Sequence, residues 1–401
     1  MTRIAARLNR IKPSPSSMAG QRARELKAQG RDIVGLTAGE PDFDTPDNIC
    51  EAAARAMKSS KTKYTDVGGT PELKEAIAGK FRRDNGLVYR PQEIIAGTGG
   101  KQVIFNAFMC TVEQGDEVIV PAPYWVSYPD IVLLADGRPV FVDCPPENGF
   151  KLRPQDLEAA ITPRTKWLVL NAPNNPSGAT YTMEELQALA QVLLRHPQVW
   201  VLTDDMYEHV LYDGRRFATI AQAEPALKDR TLTVNGVSKA YAMTGWRLGY
   251  GAGPADLIKA MVKLQSQSTS NPSSITQAAT VEALMGPQDF IEERKRVFQE
   301  RRDFMVDALN RLPGVECHRP DGAFYLYPSC RKLVGRVTPS GHRIQSDEDF
   351  VMYLLDAHNL ALLQGSAYGM SPFFRISFAA SREKLEEGLA RLAAACTALA
   401  D

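Results

Sequence analysis

Glu93-Ile-Ile-Ala-Gly-Thr-Gly-Gly-Lys-Gln-Val-Ile-Phe-Asn-Ala-Phe108 reads as a short apolar strand, a glycine turn and the start of an amphipathic helix. A strand without polar alternation is one covered on both faces, as in a parallel sheet flanked by helices. Free backbone N–H groups at a helix start bind anions, so Gly99, Gly100 and Lys101 stand where a phosphate would rest. A nucleotide P-loop would need Gly at position 95 and Ser or Thr after Lys101; the chain has Ile95 and Gln102, which excludes it. No GxGxxG follows a strand, which lowers a nicotinamide reading. Taken alone, the loop is equally compatible with a tight turn.

The same unit recurs. Apolar runs at 117–120, 138–142, 166–170, 199–202 and 231–234 alternate with helix-like stretches. After them come Pro-Ala-Pro-Tyr-Trp125, Asn-Ala-Pro-Asn-Asn-Pro-Ser-Gly178, Thr-Asp-Asp-Met-Tyr207 and Asn-Gly-Val-Ser-Lys239. Polar and turn-forming residues thus collect at strand carboxyl ends, the edge where open α/β sheets bind ligands. The flanks differ: a helix is expected at 19–29, a charged helix at 290–309, strands at 322–327 and 374–378, and a last helix at 381–399. At 401 residues the chain exceeds what one hydrophobic core usually serves. The expected fold is α/β, with a mostly parallel central sheet carrying helices on both faces, plus a smaller α+β domain. Residues 46–295 would form the large domain, and 1–45 with 296–401 the small one.

Lys plus Arg (47) balance Asp plus Glu (47), which gives no electrostatic case for a nucleic-acid or membrane partner. A small anionic substrate would be held by a few local cations. The six cysteines form no CxxC pair and have no histidine cluster near them, so reduced, half-buried thiols are expected rather than disulfides or a metal site. The start of the chain lacks an apolar signal core, and no apolar run approaches the roughly 20 residues that span a bilayer. A soluble, cytoplasmic protein is the expectation.

Lys239 follows a strand end, where an amine can form a Schiff base with an aldehyde cofactor. A lone lysine is usually a solvated surface charge. The cofactor would also need a partner for its ring nitrogen, a face to stack on and a phosphate cup. Asp204 and Trp125 stand at other strand ends, although either alone reads as a strand-end cap or a core side chain. Arg375 in Phe-Phe-Arg-Ile-Ser-Phe378 has the setting of a buried arginine, which requires an anionic partner.

These residues carry a family resemblance. The chain resembles the fold-type I, class I aminotransferases that use pyridoxal 5′-phosphate, and is most similar to the bacterial aspartate aminotransferase subgroup. The likeness covers nearly the whole chain. It shows in Leu36-Thr-Ala-Gly-Glu-Pro-Asp-Phe-Asp-Thr-Pro46, Lys63-Tyr64, Gly68-Gly-Thr-Pro-Glu-Leu73, Gly99-Gly-Lys-Gln102, Pro123-Tyr-Trp-Val-Ser-Tyr-Pro129, Asn174-Asn-Pro-Ser-Gly178, Asp204-Asp-Met-Tyr207, Ser238-Lys239 with Arg247, and Phe374-Arg375.

The resemblance implies that Lys239 holds the cofactor and shuttles a proton. It implies that Asp204 keeps the pyridine nitrogen protonated, that Tyr207 and Asn175 bond its O3′, and that Trp125 stacks on its ring. Gly99, Gly100, Lys101, Ser238 and Arg247 would form the cofactor's phosphate end, and Tyr64 would reach the phosphate of the other subunit in a homodimer with shared sites. Gly236 stands where some members carry a phosphate-binding serine. Arg375, helped by the Gly39 backbone, Trp125 and Asn175, would take the substrate's α-carboxylate, and Lys101, assisted near Ser14 and Ser16, the distal one. The implied reaction moves an amino group between L-aspartate and 2-oxoglutarate by a ping-pong route through pyridoxamine phosphate. Prephenate or aromatic amino acids are the alternative substrates, and a non-catalytic regulator on the same fold is the remoter reading. No metal is implied, and the five histidines match no family role.

Overall fold

The computed structural model describes residues 4–13 and 15–400. Among the described residues the strands are β1 (Val34–Gly35), β2 (Ile94–Gly97), β3 (Glu117–Ala122), β4 (Arg138–Asp143), β5 (Thr165–Asn171), β6 (Trp200–Asp204), β7 (Thr231–Gly236), β8 (Gly249–Ala252), β9 (Tyr325–Leu326), β10 (Leu360–Ala361), β11 (Leu363–Gln364) and β12 (Phe374–Ser377). Seven of them form the central sheet in the order β2-β8-β7-β6-β5-β3-β4. Neighbours from β7 to β4 run parallel, and β8 is antiparallel to both β2 and β7.

The apolar runs became strands because both faces are covered. In β3, Val118 and Val120 pack on one side with Phe108, Trp167 and Leu202, while Ile119 packs on the other with Leu168, Leu189 and Val201. Strand β4 departs from this pattern: at the sheet edge, its residues are half-buried or exposed.

Strand β8 was not legible as a strand. Its Gly-Tyr-Gly-Ala sequence has turn character, yet glycine is required by the approach of the helix Gly100–Thr111: a Cβ on Gly249 would lie 2.1 Å from the Gly100 nitrogen. Glycine in a strand interior commonly marks such a close backbone approach.

The chain's two ends pack together. β1 pairs in parallel with β10, Val34 opposite Leu360. Val34 and Leu36 share a core with Phe298, Met305, Leu354, Phe374 and Leu389. Each such side chain, fully buried, contributes about 1.5–3 kcal/mol, so the flanks hold one another. The three-stranded sheet β11-β12-β9 is antiparallel. The strand expected at 322–327 shortens to β9, because Ala323 sits at φ 56°, outside extended geometry. The charged helix is Asp289–Leu309 and the last helix Arg382–Ala398, capped by Ser381. All six cysteines are unpaired; Cys144, Cys317, Cys330 and Cys396 are fully rather than half-buried. Among the described residues no helix is long and apolar enough to cross a membrane.

Candidate active site

Parallel strands share a direction, so their carboxyl ends meet at one edge. There, with loops from both chain ends, they enclose a cavity of about 390 Å³. Gly39, Gly100, Lys101, Trp125, Asn175, Asp204, Tyr207, Ser238, Lys239, Arg247 and Arg375 all line it.

Lys239 follows β7, and its amine donates to the Gly39 carbonyl oxygen. Burial pushes its pKa down to about 8, aided by the Arg375 charge and opposed by Glu40 and Asp204. A lysine so placed carries a larger neutral, nucleophilic fraction near neutral pH than a free lysine does, though its charged form still predominates there.

Asp204 closes β6 and is buried. Its Oδ2 accepts from the Tyr128 hydroxyl at 2.7 Å, and its Oδ1 from the Met206 amide at 3.3 Å. Burial raises its pKa, while the Tyr128 bond, the Met206 amide and the Lys239 charge pull it back. Tyr207 bonds the Tyr325 hydroxyl at 2.8 Å, and burial pushes the Tyr207 phenol well above its ordinary range. Both phenols therefore stay protonated at physiological pH.

The end of the site expected to take an anion lies at the helix start. Gly99 has φ +86°, and a Cβ there would fall 2.4 Å from Arg247 Nη2. Arg247 itself sits in the left-handed region at φ 55°, its guanidinium donating to the Thr244 carbonyl at 2.9 Å. A non-glycine residue held there marks a spot fixed by its surroundings.

Arg375, on β12, is 2 % exposed. It donates to the Asn175 side-chain oxygen at 3.0 Å and the Thr37 carbonyl at 2.7 Å, and its ring-like plane lies 4.3 Å from the Tyr325 ring centre. Its Nε has no partner, and among the described residues no carboxylate pairs with it. The anion expected beside a buried arginine is thus not a protein side chain. Lys101 places its ammonium 4.8 Å from the Trp125 ring centre, a cation–π distance. Burial lowers its pKa and the nearby Arg247 charge adds to this, with Asp130 opposing.

Tyr64 lies apart from this cavity and is 91 % exposed. Ser14 and the Ser16 side chain fall outside the described residues. Sequence reasoning missed Glu40, Tyr128, Asn171, Thr244 and Tyr325, which also line the cavity. Tyr128 had a usable signal, since it stands three residues after Trp125 in the same polar strand-end segment. Thr244 and Glu40 share a 2.8 Å hydrogen bond across distant segments, which no local pattern reports. Of the histidines, His209 packs beside Glu208 and Asp84 behind the sheet edge, where the buried Lys80 ammonium already supplies a cation.

The donor set fits pyridoxal phosphate: an amine for its aldehyde, a buried carboxylate for its ring nitrogen, an aromatic wall, and a glycine–arginine cradle for its phosphate. The unsatisfied Arg375 fits the carboxylate of an amino acid. Residues 31–392 match the family model described as aminotransferase class I and II. The chain is 57% identical, over 99% of its length and 100% of the relative's, to a probable aspartate/prephenate aminotransferase of Rhizobium leguminosarum bv. phaseoli. It is 55% identical to the solved aspartate aminotransferase of Rhizobium meliloti, with a TM-score of 0.97 over 100% of both chains. A Thermus thermophilus aspartate aminotransferase with maleate is 43% identical, with a TM-score of 0.92 over 98% of this chain and 100% of that one.

Proposed function

This chain belongs to the class I and II aminotransferases, and from that premise we propose that it transfers the amino group of L-aspartate to 2-oxoglutarate, giving oxaloacetate and L-glutamate, with pyridoxal 5′-phosphate as cofactor. The observation that carries this reading is the buried Arg375, its Nε unsatisfied, in the same cavity as Lys239 and Asp204.

Bound there, the cofactor supplies an electron-withdrawing ring and a reactive aldehyde carbon, which make an amino acid's Cα proton acidic and carry its nitrogen between two acids. Lys239 would hold the cofactor through its amine and, when that amine is free, would serve as the base and acid for the proton at the substrate Cα. Asp204 keeps the ring nitrogen protonated through its negative charge. Tyr207 and Asn175 would bond the ring oxygen O3′, and Trp125 would offer its face to the ring. Gly99, Gly100, Lys101, Ser238 and Arg247 bind at the phosphate end. Arg375 takes the α-carboxylate as a two-pronged pair, which a lysine does not reproduce. Lys101, on the cavity wall, takes the distal carboxylate.

The active form is a homodimer in which Tyr64 reaches the phosphate held by a second copy; its high exposure on the single chain supports that role. The large unit spans 46–295, and both chain ends form the small one; the pairing of β1 with β10 supports this division. Six unpaired thiols support a reducing, cytoplasmic setting.

Prephenate is the second reading, because the Rhizobium leguminosarum relative bears both substrates in its name. A kcat/KM panel over aspartate, glutamate, phenylalanine and prephenate tests the choice. Aspartate should rank above the aromatic amino acids; the reverse order would overturn the main assignment.

A further inference from the structure

Tyr128 is 1% exposed, in the first turn of the helix Ser127–Leu134. Its hydroxyl donates to Asp204 Oδ2 at 2.7 Å, across 76 residues of chain. Its ring meets Trp125 edge to face, with centroids 5.2 Å apart and planes at 79°. One side chain thus touches both the carboxylate and the aromatic wall of the cavity.

The direction of that hydrogen bond is fixed by chemistry. A buried phenol beside a carboxylate is held far above its ordinary pKa, so it remains a donor and Asp204 the acceptor. The other oxygen, Oδ1, receives only the long bond from the Met206 amide. It therefore keeps lone-pair capacity for a cation in the cavity.

We infer that Tyr128 is a positioning residue for the cofactor: by anchoring Oδ2 of Asp204 it orients the carboxylate and favours its charged form, leaving Oδ1 for a protonated ring nitrogen. The inference rests on reading the cavity as a pyridoxal phosphate site. Burial alone drives Asp204 toward its neutral form, in which it has no charge to offer that nitrogen. The Tyr128 donor opposes this drift, together with the Met206 amide and the Lys239 charge.

The test uses equilibrium binding to the full-length apoprotein of two probes: pyridoxal phosphate and its 1-deaza analogue, in which C–H replaces the ring nitrogen. Wild type should bind pyridoxal phosphate with a shift in its absorbance band; absence of binding would sink the cofactor reading itself. Tyr128→Phe keeps the ring and its contact with Trp125, and a thermal melt checks that it folds. It should weaken pyridoxal phosphate by about ten- to hundredfold, the range for a hydrogen bond to a charged group, and leave the analogue's affinity unchanged. Equal losses for both probes, or none for either while wild type binds normally, would overturn the role of Tyr128 alone. A cycle with Asp204→Asn gives a second check: in that background Tyr128→Phe should have no further effect on pyridoxal phosphate affinity. Additive losses would refute the coupling.

Discussion

The hydroxyls of Tyr207 and Tyr325 meet at 2.8 Å, joining the loop after β6 to β9 across two separate sheets. Tyr325 also lies under the Arg375 guanidinium. It therefore connects the residue assigned to the cofactor oxygen with the residue assigned to the substrate carboxylate. Tyr325→Phe should remove the bond without opening the core. The expected cost in stability is about 1 kcal/mol, with kcat lowered and KM for aspartate little changed. Denaturant titration and steady-state kinetics read the two effects separately. A rise in KM with unchanged kcat would show that Tyr325 serves only Arg375.

Lys239→Ala should abolish the visible band of the covalent lysine–cofactor link and its response to borohydride. Activity should fall by at least the ~10²–10⁴-fold expected for losing a positioned acid–base group. Retention of that band would refute the assignment. The depressed Lys239 pKa gives a further test. Its neutral form becomes dominant as pH rises through about 8, so capture of pyridoxal phosphate by the apoprotein should accelerate up to that point and then level off. A profile still climbing steeply at pH 10 would indicate an unperturbed lysine.

Arg375→Ala should raise KM for aspartate sharply, because a substrate carboxylate would lose a buried partner, a loss of about 3–5 kcal/mol. Arg375→Lys should recover little of this, since a point charge cannot copy the planar fork. An unchanged KM in the alanine variant would contradict the role.

Behind the site, Glu208 pairs with the fully buried Lys80 and accepts from Asn85 at 2.9 Å and Asn235 at 2.8 Å. Burial alone would raise its pKa, but Lys80 and His209 bring it to about 2 from an ordinary 4.5. A depressed carboxylate pKa contributes stability that is fully present above about 4.5 and lost as pH falls toward 2. Glu208→Gln should therefore destabilise by about 3–5 kcal/mol near neutral pH. The gap to wild type should narrow below pH 4.5. Denaturant melts at pH 7 and pH 3.5 measure it, and a gap independent of pH would refute the ion-pair account.

The chain's own pattern determined the sheet and placed polar residues at its strand ends, while their roles came from the family resemblance. The apolar runs have no polar alternation, so they had to be covered on both faces, and parallel strands bring the residues after them to one edge. Lys239, Asp204, Trp125, Asn175 and the Gly99–Gly100 turn were legible for that reason. Only the tertiary structure decided how distant segments meet there. Gly39 accepts from Lys239 across 200 residues, Arg375 reaches Asn175 across another 200, and Tyr128 reaches Asp204 across 76. It also paired Gly249–Ala252 antiparallel with β2 and β7, with glycine at 249 because a helix approaches that position too closely for a side chain. Periodicity reports which face of an element is buried; which polar group stands opposite across the cavity is set by how whole elements pack, and that is where Tyr128 and Tyr325 came from.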